Sequence, residues 1–436
     1  MNAGDGDNEK PLGLWHVVAI GIGAMVGAGI FALLGQAALL MRSSTWLAFV
    51  FGGVVAMFSG YAYARLGASY PSNGGIIDFF RRGLGDGLLT LSLSLLYLVT
   101  LVLTIAMVAR AFGAYAADLL HDGSQDQRVI LSYALGVIAL MALFNALSSH
   151  AVGRLEVVLV AVKLGILLVL IAAGVWALHP ASLTLTSSPG GGAFFSAIGI
   201  TFLAYAGFGM MANAADKVRS PATTMPRAFT LAIGVTALLY VTLALVLVSD
   251  VPAAQLERYA DTAVAQAAYP LLGRVGYTIV AIGALLATAS AINATLFAAF
   301  NIMASMASMG SEGELPEAFH RPLWRQSTPG NLTVVALIML ITLLLDLGAL
   351  ANVASATFLF CYLAVFVVAW RLRREIGAAA PLLLCGALVM LLVIVGFIFS
   401  LWQQGGPALL WVLGALLLSL ALALFFRRGR TVWKRG

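Results

Sequence analysis

Long apolar stretches separated by short polar connections make up almost the whole chain. A membrane-spanning helix needs about 20 mostly apolar residues, and twelve stretches meet that requirement. They cover residues 14–40, 46–68, 88–118, 129–148, 153–178, 193–214, 227–249, 271–308, 331–350, 352–374, 381–402 and 407–426. The pattern predicts an all-α polytopic membrane protein with twelve transmembrane helices. No connection is long or polar enough for a soluble domain, so we expect residues 1–436 to form a single transmembrane domain.

Composition supports this prediction and excludes other classes. Hydrophobic residues make up 61% of the chain and charged residues 10%. Soluble domains have about 45–50% hydrophobic residues and about 25% charged residues. Disorder and nucleic-acid binding are excluded. Cys361 and Cys385 both lie in apolar stretches, and the histidines are scattered, so we predict no disulfide framework, metal site or cofactor.

The distribution of positive charge predicts the orientation. If the even-numbered connections and both tails lie on one face, that face holds eighteen of the 24 Lys and Arg residues and the other holds five. Cytoplasmic loops carry the excess of Lys and Arg. We therefore expect a multi-pass protein of the plasma or inner membrane with a cytoplasmic tail at 1–11 and a basic cytoplasmic tail at 427–436. The connection between Asp250 and Pro270 is predicted to be outside, and 310–330 inside.

Glycines cluster in the middle of the first and sixth spans: Gly21, Gly23, Gly27, Gly29, Gly207 and Gly209. Each glycine inside a helix destabilises the helix by about 1 kcal/mol relative to alanine. Both helices are therefore predicted to be discontinuous. Interrupted helices at matching positions of two halves indicate the substrate site of a secondary transporter. Backbone groups freed at the two breaks would satisfy a zwitterion. The alternative for the first span is close helix packing through small residues.

Lys163 is the one basic residue that fits neither face. It lies about 15 Å along the fifth span, where a Lys costs about 2.5–3.5 kcal/mol to insert. No Asp or Glu lies in the middle of any span to pair with it. Because burial disfavours the charged amine, Lys163 is a candidate to bind and release a proton.

Several motifs resemble the amino acid-polyamine-organocation transporter family. They are residues 23–31 in the first span, 202–209 in the sixth with 216–221 after it, 145–156, 291–295 and 312–316. The resemblance is greatest to prokaryotic broad-specificity, proton-coupled amino acid transporters of the family, in which a helix-5 lysine replaces a sodium ion. It implies a leucine-transporter-type 5+5 inverted repeat, with repeats at 12–178 and 193–374 and peripheral helices 11 and 12 at 381–426.

The resemblance also implies a substrate site. It places the substrate carboxylate on backbone N–H groups in the turn Gly27, Ala28, Gly29 and Ile30. The substrate ammonium would meet carbonyls of Met25, Leu203 and Ala206, and Phe208 would face the side chain. Gly209 stands where relatives that take cationic substrates carry an acidic residue, so neutral amino acids are favoured.

Coupling and gating residues are implied in the same way. Ala287 stands where the family offers the lysine a hydroxyl, so Thr288 or Ser290 would substitute for it. Phe202 and Tyr205 are candidate gates. Asp216 and Arg219 are candidates for an inner charge gate, with Arg154 and Glu156 as partners; the alternative is that these loop charges are simply solvated.

We therefore expect a transporter, not an enzyme, that imports small to medium neutral amino acids by proton symport and without sodium. Its partners would be the amino acid, the proton and the lipid bilayer, with no nucleic acid; the oligomeric state stays open. One alternative is a sodium-independent exchanger in which Lys163 is structural. A polytopic membrane enzyme is disfavoured because the sequence has no Asp-rich, His-rich or Ser/His/Asp cluster. A channel is disfavoured because broken helices are better suited to a closed binding site at the membrane midplane.

Overall fold

The structure, a computed structural model, describes residues 12–72, 74–121, 123–147, 152–177, 190–308 and 328–433. Within these ranges it contains fourteen α-helices. They are α1 (Leu14–Met41), α2 (Thr45–Ser69), α3 (Ile76–Leu84), α4 (Leu88–Leu120), α5 (Gln127–Leu147), α6 (Val152–Trp176), α7 (Gly191–Tyr205), α8 (Pro221–Asp250), α9 (Ala253–Tyr259), α10 (Ala263–Ser308), α11 (Pro329–Leu344), α12 (Leu347–Arg371), α13 (Ala380–Gln403) and α14 (Ala408–Trp433). The tail 1–11 and most of the predicted inner connection 310–330 lie outside the described residues.

The helices have the length and composition of membrane spans. Ten helical stretches in the described ranges are long and apolar enough to cross a bilayer, and two further apolar stretches, Leu14–Gly27 and Pro329–Leu344, are shorter. Helices suit a bilayer because they satisfy their own backbone hydrogen bonds where no water is present. The predicted all-α polytopic membrane protein is confirmed.

Several predicted boundaries differ by a few residues from those of the structure, and two of the differences have a local cause. The eighth stretch begins at Ala263, not at residue 271, because a short helix joins it across a kink at Gly273, where φ is +66°. The ninth ends at Leu344, not at residue 350, because Leu345 is extended and Asp346 starts the next helix. The Asp346 carboxylate accepts a hydrogen bond from the Ala349 N–H at 2.7 Å, which is a typical N-cap.

The predicted break in the first span is wrong in this structure, since α1 is continuous from Leu14 to Met41. Its glycines serve close packing, which was the alternative interpretation. A Cβ atom on Gly29 would lie 2.8 Å from Ala204 Cα, and one on Gly23 would lie 2.7 Å from Val160 Cγ2. The destabilisation of α1 by its glycines is thus offset by the close packing of α7 and α6 against α1, which the glycines allow.

The sixth span changes its helical form where a break was predicted. α7 ends at Tyr205, and a 3-10 helix, Ala206–Lys217, continues from it; we call it the 3-10 segment. Both α7 and the 3-10 segment pack against α1, which also contacts α8 and α10. In contrast, α13 packs on α7 and α12, and α14 on α4 and α12. The first and sixth spans therefore lie together in the interior.

The predicted outer connection is folded onto the end of α1. It contains α9 and a 3-10 turn, Ala260–Thr262, and a Cβ atom on Gly35 would lie 2.7 Å from the Ala260 carbonyl carbon. The Gln36 side-chain amide donates to the Asp261 carboxylate at 2.8 Å. This polar contact fixes the connection over the helix.

Arg110 differs from the position that its charge suggested. Arg110 is one of the five basic residues that the charge distribution predicts for the outer face, but it lies within α4 and is 6% exposed. Its Nε donates to the Thr342 carbonyl at 2.9 Å and its Nη1 to the Gln127 side chain at 2.8 Å. The guanidinium is stabilised there because hydrogen bonds replace hydration.

Candidate functional site

The candidate substrate site lies where α7 becomes the 3-10 segment. In an α-helix each carbonyl accepts a hydrogen bond from the N–H four residues later, and in a 3-10 helix from the N–H three residues later. Where one form changes into the other, carbonyls at the end of the α-helix lose their usual donors. A Cβ atom on Gly207 would lie 2.6 Å from the Ala24 carbonyl carbon and 2.7 Å from Met25 N. The structure thus places Met25 of α1 beside the start of the 3-10 segment, where Ala206 directly precedes Gly207; Leu203 lies in the last turn of α7.

Two of the predicted ammonium-binding carbonyls accept hydrogen bonds from buried tyrosines. The Tyr240 hydroxyl on α8 lies 2.6 Å from the Met25 carbonyl oxygen and 3.3 Å from that of Ala204. The Tyr362 hydroxyl on α12 donates to the Ala206 carbonyl at 3.1 Å. A hydroxyl has one hydrogen and a carbonyl two lone pairs, so each tyrosine adds a polar contact without displacing a helical bond.

The predicted carboxylate-binding amides lie inside the continuous part of α1. In an α-helix each N–H donates to the carbonyl four residues earlier, so the amides of Ala28, Gly29 and Ile30 face the carbonyls of the preceding turn. Binding a carboxylate there requires α1 to unwind locally. Gly27 and Gly29 lower the cost of that change, and the assignment stays a prediction.

Phe208 lies in an aromatic cluster and is fully buried. Its ring makes edge-to-face contacts with Tyr63, Tyr362 and Phe229, with ring centroids 5.6, 5.4 and 6.0 Å apart. A Cβ atom on Gly209 would lie 3.3 Å from the Tyr362 hydroxyl oxygen. The surroundings of Phe208 are therefore apolar and aromatic, with hydroxyl groups as the polar component.

The two aromatic gate candidates are buried beside the site. Phe202 packs edge-on against Tyr362, with a centroid distance of 5.2 Å. The Tyr205 hydroxyl donates to the Phe49 carbonyl of α2 at 2.9 Å. Both side chains connect α7 to a neighbouring helix, and their role as gates stays a prediction.

Lys163 is buried on α6, with 2% of its surface exposed. Its Nζ donates to the Gly23 carbonyl oxygen of α1 at 2.8 Å. A Cβ atom on Gly27 would lie 3.6 Å from Nζ and 3.4 Å from Ala291 Cβ on α10. The amine therefore lies where α6, α1 and α10 meet, and it approaches Gly23 and Gly27, which each lie two residues from Met25 of the candidate site.

The predicted hydroxyl partners of Lys163 lie on α10. The Thr288 hydroxyl donates to the Ala284 carbonyl of its own helix at 2.7 Å, and Ser290 is 8% exposed. The Ala287 carbonyl oxygen would be 3.9 Å from a Cβ atom on Gly27. On α10, a backbone carbonyl thus approaches the turn of α1 that faces the lysine.

The predicted charge gate consists of exposed side chains. Asp216 and Arg219 are both exposed at the end of the 3-10 segment and just beyond it. Two ion pairs among the described side chains are Arg42–Glu257 and Arg81–Asp86, and neither includes Asp216 or Arg219. Arg154 and Glu156, the predicted partners, lie outside the residues whose side chains are described.

Sequence reasoning missed Tyr240, Tyr362 and Tyr63. A tyrosine in an apolar span is usually treated as core or lipid-facing, so none was selected. A usable signal is depth, because a tyrosine buried far from the membrane surface needs an acceptor for its hydroxyl. The carbonyls of Met25 and Ala204 supply such acceptors for Tyr240, and the carbonyl of Ala206 supplies one for Tyr362.

Comparison with known proteins gives a consistent result. Residues 12–426 match the family described as amino acid permease. The inner membrane transport protein YbaT of Escherichia coli (strain K12) is 71% identical over 432 residues, covering 99% of this chain and 100% of that protein. The branched-chain amino acid permease BcaP of Bacillus subtilis (strain 168) is 25% identical over 268 residues, covering 58% and 57%. Cationic amino acid transporter 1 of Arabidopsis thaliana is 27% identical over 384 residues, covering 84% and 63%.

Proposed function

The chain belongs to the amino acid permease family of the amino acid-polyamine-organocation superfamily, and from this membership we propose that it imports small to medium neutral amino acids by proton symport, independently of sodium. It is a multi-pass amino acid transporter of the inner membrane and not an enzyme. Our proposal includes twelve spans, two inverted five-helix repeats and both termini in the cytoplasm.

The position of Lys163 carries the proposal of proton coupling. Its amine is 2% exposed and 2.8 Å from the Gly23 carbonyl oxygen, so the hydrogen bond joins the lysine to the helix that carries part of the site. The charged amine makes a stronger bond to that carbonyl than the neutral amine does. Loss of the proton therefore weakens the attachment of α1 to α6, which links protonation to the conformation of the site.

The surroundings of Phe208 support a neutral substrate. Its ring neighbours are Tyr63, Phe229 and Tyr362, and none of them carries a charge. Gly209 adds space beside the Tyr362 hydroxyl and no counter-charge. A cationic side chain would be desolvated there without an anion, which is costly.

A sodium-independent exchanger is the second candidate. The same bond from Lys163 to Gly23 stabilises the charged amine, and a lysine that keeps its proton through the cycle would act as a fixed structural cation. Exchange of internal for external amino acid would then proceed without proton movement.

Uptake into proteoliposomes separates the two candidates. With an acidic exterior and no sodium, symport predicts that neutral amino acids accumulate, whereas an exchanger without internal amino acid shows no response to the pH gradient. Lys163→Ala is expected to abolish the response to the gradient. Arg374→Ala is the control because Arg374 is an exposed cation in the turn after α12, away from the candidate site. A gradient response that survives Lys163→Ala would contradict the assignment.

A further inference from the structure

A small cavity lies between α2 and α8. Its volume is about 40 Å³, and its lining includes Met57, Gly60, Tyr61, Phe229, Thr230 and Ile233. Thr230 is exposed, so the cavity opens on the membrane-facing surface of the protein; we call it the α2–α8 groove. Pockets for small molecules have volumes of about 300–1,000 Å³. The α2–α8 groove therefore has room only for part of a flexible chain.

The α2–α8 groove is apolar because its hydroxyl groups are bonded elsewhere. The Thr230 hydroxyl donates to the Pro226 carbonyl of its own helix at 3.0 Å. The Tyr61 hydroxyl accepts a hydrogen bond from the Ala379 N–H at 2.8 Å. Exposed apolar side chains continue the groove along the two helices, namely Val54 on α2 and Leu238 on α8. An alkyl chain in the groove can therefore continue along the protein surface.

The two helices that form the groove are antiparallel. A Cβ atom on Gly53 would lie 3.3 Å from Ala237 Cβ, and one on Gly67 would lie 3.5 Å from Met225 Cε. Residue numbers thus rise along α2 as they fall along the facing part of α8. The end near Gly67 and Met225 is the predicted cytoplasmic end of both helices.

Two arginines lie at this predicted cytoplasmic end of the groove. Arg65 follows Tyr61 by four residues on α2, and Arg227 precedes Thr230 by three residues on α8, so each shares a helix face with a residue that lines the groove. At about 1.5 Å per residue, both arginines lie about 4.5–6 Å beyond the lining residues. Because the helices are antiparallel, both displacements point toward the same membrane surface.

The Arg65 guanidinium lies at the groove with a donor to spare. Its Cζ atom is 5.5 Å from the centroid of the Tyr61 ring. Its Nε is buried and has no hydrogen-bond partner among the described residues, and neither Arg65 nor Arg227 takes part in the ion pairs described above. The first turn of α8 holds no acidic residue, so the positive end of the helix dipole adds to this charge. The end of the groove is thus complementary to an anion.

We propose that the α2–α8 groove binds an anionic phospholipid of the membrane. Its phosphate lies on Arg65 and Arg227, and one acyl chain lies in the groove. The arginine fork matches phosphate oxygens, and basic pockets between spans on the cytoplasmic side suit anionic head groups. Phe229 lines the groove and packs edge-on against Phe208, so the lipid lies one ring away from the candidate substrate site. This site is independent of which amino acid or ion is carried.

Lipid binding can be measured on the full chain without a transported substrate. The protein in an uncharged detergent would be titrated with dioleoyl-phosphatidylglycerol, with dioleoyl-phosphatidylcholine or with inorganic phosphate, and its thermal unfolding followed. A ligand that binds only the native state raises the unfolding midpoint. We expect phosphatidylglycerol to raise it at concentrations at which phosphatidylcholine and phosphate have no effect. Native mass spectrometry should show retained phosphatidylglycerol.

Variants separate the head-group contact from the chain contact. Arg65→Ala combined with Arg227→Ala should weaken phosphatidylglycerol binding about tenfold or more, since one charge-assisted hydrogen bond contributes about that factor. Thr230→Trp fills the mouth of the groove and should weaken binding with both arginines in place. Arg374→Ala removes an exposed cation elsewhere, and Leu410→Trp adds the same ring at an exposed position of α14. Both controls should bind as the unmodified chain does.

Three results would overturn the proposal. Equal midpoint shifts with phosphatidylglycerol and phosphatidylcholine would show that the head-group charge is not recognised. The same shift with inorganic phosphate would assign the two arginines to a free anion. Unchanged lipid affinity in the double arginine variant or in Thr230→Trp, with size-exclusion chromatography and the lipid-free midpoint showing folded protein, would place the lipid elsewhere.

Discussion

Substitution of Gly29 tests whether the glycines of α1 serve packing. A Cβ atom there would lie 2.8 Å from Ala204 Cα and 2.9 Å from the Ala204 carbonyl carbon. Because both neighbours are backbone atoms, no side-chain rotation relieves the contact. Overpacking of this kind costs about 1–3 kcal/mol, so Gly29→Ala should destabilise the protein by about that amount and reduce transport.

Gly165 on α6 is the matched control. It is also helical, but a Cβ atom placed on it has no heavy atom within 4 Å. Gly165→Ala should therefore stabilise the protein, by up to about 1 kcal/mol from helix propensity. Thermal unfolding of both variants in one detergent measures the difference. Equal stability of Gly29→Ala and Gly165→Ala would refute the close contact between α1 and α7.

Two further pairs of variants each compare a contact to which we assign a role with a similar contact elsewhere in the structure. If the Met25 carbonyl binds the substrate ammonium as proposed, the Tyr240 hydroxyl competes for it, and Tyr240→Phe should lower the KM for a transported amino acid. Tyr115→Phe, whose hydroxyl donates to the Phe31 carbonyl elsewhere on α1, should leave the KM unchanged. Equal KM values for the two variants in transport assays would contradict the competition. Gln36→Leu removes the donor to the partly buried Asp261 carboxylate and should cost about 1–3 kcal/mol. Arg42→Ala removes an exposed ion pair and should cost about 0–1 kcal/mol. A lower unfolding midpoint for Arg42→Ala than for Gln36→Leu would rule out a stabilising role for the Gln36–Asp261 hydrogen bond.

The fold class could be predicted from the sequence because a helix that spans a bilayer must have a long apolar stretch, and such stretches are visible in the sequence. Lys163 was found for a related reason: charge is so scarce in this chain that one lysine in mid-span stands out. Its contact with the Gly23 carbonyl could not be predicted, since it depends on how closely α6 approaches α1.

The glycines of the first and sixth spans show where sequence reasoning ends. Glycine destabilises a helix and also lets two helices pack closely. A glycine in the sequence is therefore consistent with either effect. In the sixth span the helix does change form after Tyr205, whereas around Gly29 the backbone stays helical against Ala204. Only the position of the neighbouring helix decides between the two outcomes.

Proton movement during transport tests the central claim most directly. Proteoliposomes with a pH-sensitive dye inside would receive a transported neutral amino acid from outside, with no imposed gradient and no sodium. Proton symport through Lys163 predicts that the interior acidifies with the intact chain and stays unchanged with Lys163→Ala. Entry of the amino acid without acidification, or equal acidification with Lys163→Ala, would contradict the account.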